Sequence, residues 1–197
     1  MFMDLHIRRA TKPDISILAA ILDCSWLASC PNFLPGECVR HWVEDGRARR
    51  QAEAIQPRSL LVENGAGEPL GFISVRGGLL EMLWVVPQAW GRGIGSALLS
   101  LAEDMIRGRG HRRGQLMTYR DNTRALAFYQ AKGWRPIKEF VEIAPGGVLL
   151  PVLRLEKDLY GAEAAAPRAG SSPSTSLSAA SKQGATVPPS ACAPRVR

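Results

Sequence analysis

The sequence predicts a single α/β domain, and three observations carry that prediction. Residues 79–86 read as a buried strand, apolar except for Glu81 and stopped by Pro87, which has no amide to give to a ladder. A glycine-rich turn follows, Trp90-Gly91-Arg92-Gly93-Ile94-Gly95-Ser96. Beyond it, Ile94, Ala97, Leu98, Leu101, Ala102, Met105 and Ile106 recur at three- and four-residue steps and so share one face of a helix. A chain of 197 residues, 46% apolar and 22% charged, is long enough for one domain with a proper core and ordinary for a globular protein.

The turn is the most informative stretch. Glycines on alternate positions let the backbone come close to a ligand and aim several amides at one point. Those amides open a helix, whose N-terminus favours anions, and Arg92 adds a charged, forked donor. The chemistry is that of a phosphate cradle; the plainer alternative is a helix-opening loop whose glycines only turn the chain. Spacing excludes two cradles. A Walker loop needs Gly-Lys-Ser/Thr, and no lysine follows these glycines; a dinucleotide fingerprint counted from Gly91 needs a glycine where Ser96 stands. The stretch instead resembles the acetyl-CoA signature of the GCN5-related N-acetyltransferase family: Gln or Arg, two residues, Gly, one residue, Gly or Ala. Gly93 and Gly95 match, and Trp90 stands where Gln or Arg is usual.

The remaining elements follow in order. Leu5-His6-Ile7-Arg8 alternates as a first strand does. Thr11-Lys12-Pro13-Asp14 is a helix start with a capping box, and Ile15, Leu18, Ala19, Leu22 and Trp26 form the stripe behind it. Residues 30–36 carry two prolines and a glycine and read as a loop; residues 37–55 read as one second helix. Strands are expected at 58–63 and 69–76 around the turn Asn64-Gly65-Ala66-Gly67, at 115–120, and at 135–142 and 148–157.

Between the 115–120 and 135–142 strands lies Asp121-Asn122-Thr123-Arg124-Ala125-Leu126-Ala127-Phe128-Tyr129, ending at Gly133-Trp134. By itself it is a short helix capped by Asp121 or Asn122 and closed by Gly133. Its wording also resembles the second signature of the same acetyltransferase family. The resemblance is strongest over 79–134 and extends over 4–159. It implies a mixed, mostly antiparallel seven-stranded sheet flanked by about four helices, with acetyl-CoA bound between the central strand and the 115–120 strand. It implies cofactor contacts from Gly91, Arg92, Gly93, Ile94, Gly95 and Ser96, with Asn122 on the pantetheine arm. It gives Tyr129 the protonation of the leaving thiolate, and an amide near Val85 or Val86 the polarisation of the carbonyl. The two N-terminal helices then wall the acceptor site, with Trp26, Phe33, Glu37, His41 and Trp42 as candidate contacts; Trp26 and Trp42 as core, and Glu37 and His41 as solvated face, are the alternatives.

Amine acetylation also needs a proton acceptor. Glu81, a carboxylate in an apolar strand, is the candidate, because burial raises a carboxyl towards the range of a general base. The alternative is that it faces solvent or pairs with an arginine. The function expected is direct acetyl transfer from acetyl-CoA as co-substrate to a primary amine, with no metal; an acyl-CoA sensor without turnover is the second reading. A homodimer is compatible with either.

The formal net charge of +7 invites a nucleic-acid reading, yet residues 161–197 supply +3 of it through Arg168, Lys182, Arg195 and Arg197 against Glu163. The basic loop 107–114 lacks the interleaved aromatics that stack on bases. No apolar run is read as reaching the ~20 residues of a membrane span, so no membrane partner is expected. Cys24, Cys30, Cys38 and Cys192 fit neither metal spacing nor a disulfide framework, which points to a cytoplasmic setting. From Gly161 the composition shifts: 25 of 37 residues are Ala, Ser, Pro or Gly and none is aromatic, so a disordered tail is expected after a domain of residues 1–160.

Overall fold

Seven strands form one sheet in the order β1-β2-β3-β4-β5-β7-β6, antiparallel at every joint except the parallel β4–β5 pair. The computed structural model describes residues 5–160, and the expected tail at 161–197 lies outside them. The strands are β1 Leu5–Arg9, β2 Ser59–Asn64, β3 Pro69–Arg76, β4 Leu79–Val85, β5 Arg113–Tyr119, β6 Arg135–Ile143 and β7 Leu149–Asp158. The helices are α1 Ile15–Ser29, α2 Gly36–Glu44, α3 Arg47–Ile55, α4 Ile94–Gly108 and α5 Thr123–Ala131. The fold class expected from the sequence is the one observed.

Strand alternation sorts the core into two layers. Phe72, Met82, Trp84, Met117, Tyr119 and Val152 face α1, α2 and α3; Ile73, Leu83, Val85, Leu116, Leu153 and Leu155 face α4 and α5. At burial this complete, each large side chain contributes roughly 1.5–3 kcal/mol. The capping box at Thr11 and Asp14 is present, and Arg8 grips the Asp14 carboxylate through two 2.8 Å hydrogen bonds.

Two expectations need correction. Residues 37–55 are two helices, because Gly46 adopts φ 58° and a left-handed residue ends one helical turn before the next begins. Residues Lys12–Asn32 do form a helical segment long and apolar enough to cross a membrane, with a mean hydropathy of 1.3. In this fold Leu18, Leu22 and Trp26 of that segment are fully buried against the sheet.

Candidate active site

The parallel joint is where the sheet opens. Leu79 pairs with Gln115, whose amide reaches Gly78 O at 2.8 Å, and beyond that pair the β4–β5 ladder stops. β5 continues on β7 as far as Tyr119↔Val152, and β4 continues on β3 as far as Val85↔Gly71. The two strands thus share one closed end and diverge into a notch.

The β3–β4 register decides which β4 groups face that notch. Val86 N donates to Leu70 O at 2.9 Å, so Val86 spends its amide inside the sheet. Antiparallel pairing alternates, so the odd positions Leu83 and Val85 turn their amides to the opposite edge, towards β5. Of the two candidates Val85 and Val86, the structure leaves Val85 and removes Val86. The Val85 carbonyl is held by two donors, Trp90 Nε1 at 2.7 Å and Ser25 Oγ at 3.0 Å. Trp90 therefore has a task in this chain: it ties the glycine-rich loop to the notch strand.

At the open end of the notch, Gly91 and Gly93 have φ of 78° and 80°. Gly93 is the N-cap of α4, and the first helical donor is Ala97 N to Gly93 O at 3.0 Å. The amides of Ile94, Gly95 and Ser96 precede that bond and have no carbonyl one turn back within the helix. A side chain at Gly93 would meet nothing within 4 Å, so the space before the helix is open. Arg92 is exposed beside it. These groups fit a phosphate-bearing ligand.

On the β5 side Asn122 caps α5, its Oδ1 accepting from Ala125 N at 3.2 Å. Its Nδ2 is buried without a partner. A buried amide left half satisfied calls for a ligand acceptor or a water, which suits a contact to an amide-bearing arm. Tyr129 is 4% exposed and packs against Phe128 and Trp134, with ring centroids at 5.1 and 6.3 Å. Burial pushes its phenol above the ordinary value, so it stays protonated at neutral pH. Among the described residues no hydrogen bond fixes its hydroxyl.

The expectation for Glu81 is overturned in sign. Burial alone would raise its carboxyl, but hydrogen bonds from Arg58, Arg76 and Ser74 outweigh that and lower it. Arg58 Nε lies against one carboxylate oxygen, Arg76 Nε donates at 2.7 Å and Ser74 Oγ at 3.0 Å. Glu81 occupies a β-bulge, since Ser74 pairs with Met82 and Val75 with Leu80. A carboxylate so gripped is a poor proton acceptor.

The acceptor-side candidates divide. Trp26 is fully buried, stacked on Trp42 at 4.3 Å and 2°, and is core rather than a contact surface. Phe33 is half-buried and packs on Tyr119 at 6.1 Å. Glu37 and His41 lie against Gly146 in the β6–β7 turn, where a Cβ would come within 3.1 and 2.7 Å of them. The helix α2 and this turn thus close one wall together. Sequence reasoning missed Ser25, whose hydroxyl reaches the Val85 carbonyl from 60 residues earlier in the chain and leaves no local signal.

An open sheet, a glycine-rich turn at a helix N-terminus and a notch beside them fit a phosphate-bearing ligand. Comparison with known proteins narrows the class. Residues 24–134 match the family described as Acetyltransferase (GNAT) family, and the chain belongs to that family. A peptidyl-lysine N-acetyltransferase of Escherichia coli K12, YiaC, is 32% identical over 129 residues, covering 65% of this chain and 82% of that protein. A mycothiol acetyltransferase of Clavibacter sepedonicus is 42% identical over 92 residues, which is 44% of this chain but only 30% of that protein's length. Among solved structures, a GCN5-related N-acetyltransferase from Rhodopseudomonas palustris superposes with a TM-score of 0.68 at 22% identity, covering 80% of this chain and 98% of that one. A PaiA N-acetyltransferase from Thermoplasma acidophilum, solved with coenzyme A, gives 0.61 at 20% identity, covering 79% and 99%.

Proposed function

We propose that the protein is an acetyl-CoA-dependent N-acetyltransferase, moving an acetyl group directly to a primary amine, with residues 1–160 as the functional unit. The observation that carries this reading is the notch itself: a sheet opened beyond Leu79↔Gln115 and ended by the unpaired first amides of α4. The names of the peptidyl-lysine and mycothiol relatives support an amine as acceptor.

Acetyl-CoA supplies the activated acyl group when bound. The Ile94, Gly95 and Ser96 amides with Arg92 would hold its phosphates, and Asn122 Nδ2 its pantetheine arm. The Val85 amide would donate to a carbonyl oxygen in the notch, the kind of preorganised donor that favours developing negative charge. Tyr129 holds a proton for a leaving thiolate. The gripped state of Glu81 favours one alternative, an acyl-CoA-binding regulatory module without turnover.

The test is release of free thiol from acetyl-CoA by the full chain with pooled amine acceptors. Acceptor-dependent release establishes the enzyme. Tight acetyl-CoA binding with no release from any pool moves the reading to the module.

A further inference from the structure

Glu142 has no assigned part in the site, yet its surroundings are those of a receptor for a cation. Across the last strands, Tyr119, Val152 and Phe140 stand in one row, since Val152 pairs with both neighbours. The next row outward is Leu150↔Glu142, and β5 has already ended there. Val152 and Tyr119 belong to the core layer under α1–α3, with Phe140, Leu150 and Phe33 packed against it. By strand parity the Glu142 side chain is aimed into that layer, whereas Val141 and Ile143 on either side are 61% and 67% exposed.

The carboxylate is therefore half-buried beside an apolar, aromatic part of the core layer. Among the described residues it takes part in no hydrogen bond or ion pair. This sets it apart from Glu81, Glu63 and Glu103, each gripped by a basic side chain. Burial pushes its carboxyl above the usual carboxylate range. Tyr119, 4% exposed, feels its charge: after burial, Glu142 is the main influence raising the phenol. Glu37 and His41 reach the same wall from α2 through Gly146. A half-buried carboxylate without a partner is costly unless a ligand supplies the missing charge.

Resting on the acetyltransferase reading, we propose that Glu142 binds the acceptor's ammonium and takes its proton, and that the acceptor is a primary alkylammonium on an apolar stem. The stem lies against Phe33, Tyr119, Phe140 and Leu150. One proton passes from nitrogen to the Glu142 carboxylate, and the lone pair so exposed forms the new C–N bond as the thioester C–S bond breaks. The second nitrogen proton leaves with the thiolate as thiol, by way of Tyr129. Glu142 then returns its proton to water.

The experiment compares 2-phenylethylamine with 2-phenylethanol, of nearly the same shape but neutral, binding to the full chain with and without saturating coenzyme A. Wild type, E142Q, E142D and the outward-facing E139Q are measured by calorimetry, with thiol release from acetyl-CoA alongside. The wild type and E139Q should prefer the ammonium at least about tenfold, and E142Q should lose that preference. Thiol release with the amine should fall about a hundredfold in E142Q and partly return in E142D. Equal affinity of wild type for amine and alcohol, or a preference that survives in E142Q, overturns the proposal. If E142Q does not fold, E142D decides, since moving the charge must weaken the preference. Coenzyme A failing to bind the wild type would instead overturn the acetyltransferase reading, and the amine preference would still decide Glu142.

Discussion

Substituting Tyr129 by Phe removes one oxygen and nothing else, and the structure separates its effect on catalysis from its effect on folding. The ring is buried, wedged between Phe128 and Trp134, and Phe keeps those contacts. Among the described residues the hydroxyl has no hydrogen bond to lose, so stability should change by no more than about 1 kcal/mol. Asn122, Val85 and the α4 amides are untouched, so acetyl-CoA should bind within about threefold of wild type, as far as those contacts set the affinity. Loss of a positioned proton donor, by contrast, costs typically 10²–10⁴ in rate, or about 3–5 kcal/mol of barrier. The assay is thiol release under saturating acetyl-CoA, with Kd from calorimetry and the midpoint of urea unfolding. A drop in kcat of at least about a hundredfold with unchanged Kd and midpoint is expected. Because burial raises the phenol above its ordinary value, Tyr129 should add no alkaline limb to the wild-type profile between about pH 6 and 10. Full turnover in the Phe variant would refute the assignment.

Four further outcomes are expected. Glu81→Gln should lower stability by about 1–2 kcal/mol in urea unfolding, because Arg58 and Arg76 lose a charged partner while keeping access to water. It should leave kcat within about threefold, and a hundredfold loss would restore Glu81 as the base. Gly93→Ala meets no neighbour but must hold φ 80°; that costs about 1–2 kcal/mol, shared between a lower melting temperature and acetyl-CoA binding weakened up to about tenfold. Unchanged values of both would count against the cradle. Asp14 is held below the usual carboxylate range first by its hydrogen bonds from Arg8, so its stabilisation is present above the unfolded value of about 3.9 and is lost as the pH falls through the folded one. Asp14→Asn should therefore cost about 2 kcal/mol at pH 6 and progressively less below about pH 4, and a pH-independent difference would contradict this. Ser25→Ala and Trp90→Phe remove two donors from one Val85 carbonyl; their effects on the KM for acetyl-CoA should fail to add by at least about 0.5 kcal/mol.

The parts of this site legible in the sequence were those encoded in one local stretch. The glycines at 91 and 93, the N-cap at Asn122 and the turn at Gly133 are fixed by backbone conformation, and backbone conformation leaves a residue-type signature. The α4 stripe was equally plain, since its buried positions Leu98, Ala102 and Ile106 recur at helical spacing. The break at Gly46 was visible as a glycine but not as a break. A glycine inside a polar helix and one between two helices differ only in what α2 and α3 pack against.

What was illegible depends on partners distant in the chain. Glu81 looked like a buried lone carboxylate, and its chemistry was reversed by Arg58, 23 residues earlier, and by the bulge that turns it towards Ser74. A residue's pKa belongs to its neighbours as much as to itself. The choice between Val85 and Val86 shows the same thing for the backbone. Both valines are apolar and adjacent, and either amide could face the notch; a shift of one residue in register exchanges them. The bond from Val86 N to Leu70 O makes the choice, through a strand whose pairing β4 alone does not state. Once that register is set, the Val85 amide faces β5 and its carbonyl meets Trp90 and Ser25 at the same edge. The indole that departs from the family's usual residue thereby fixes the strand edge on which the proposed chemistry depends.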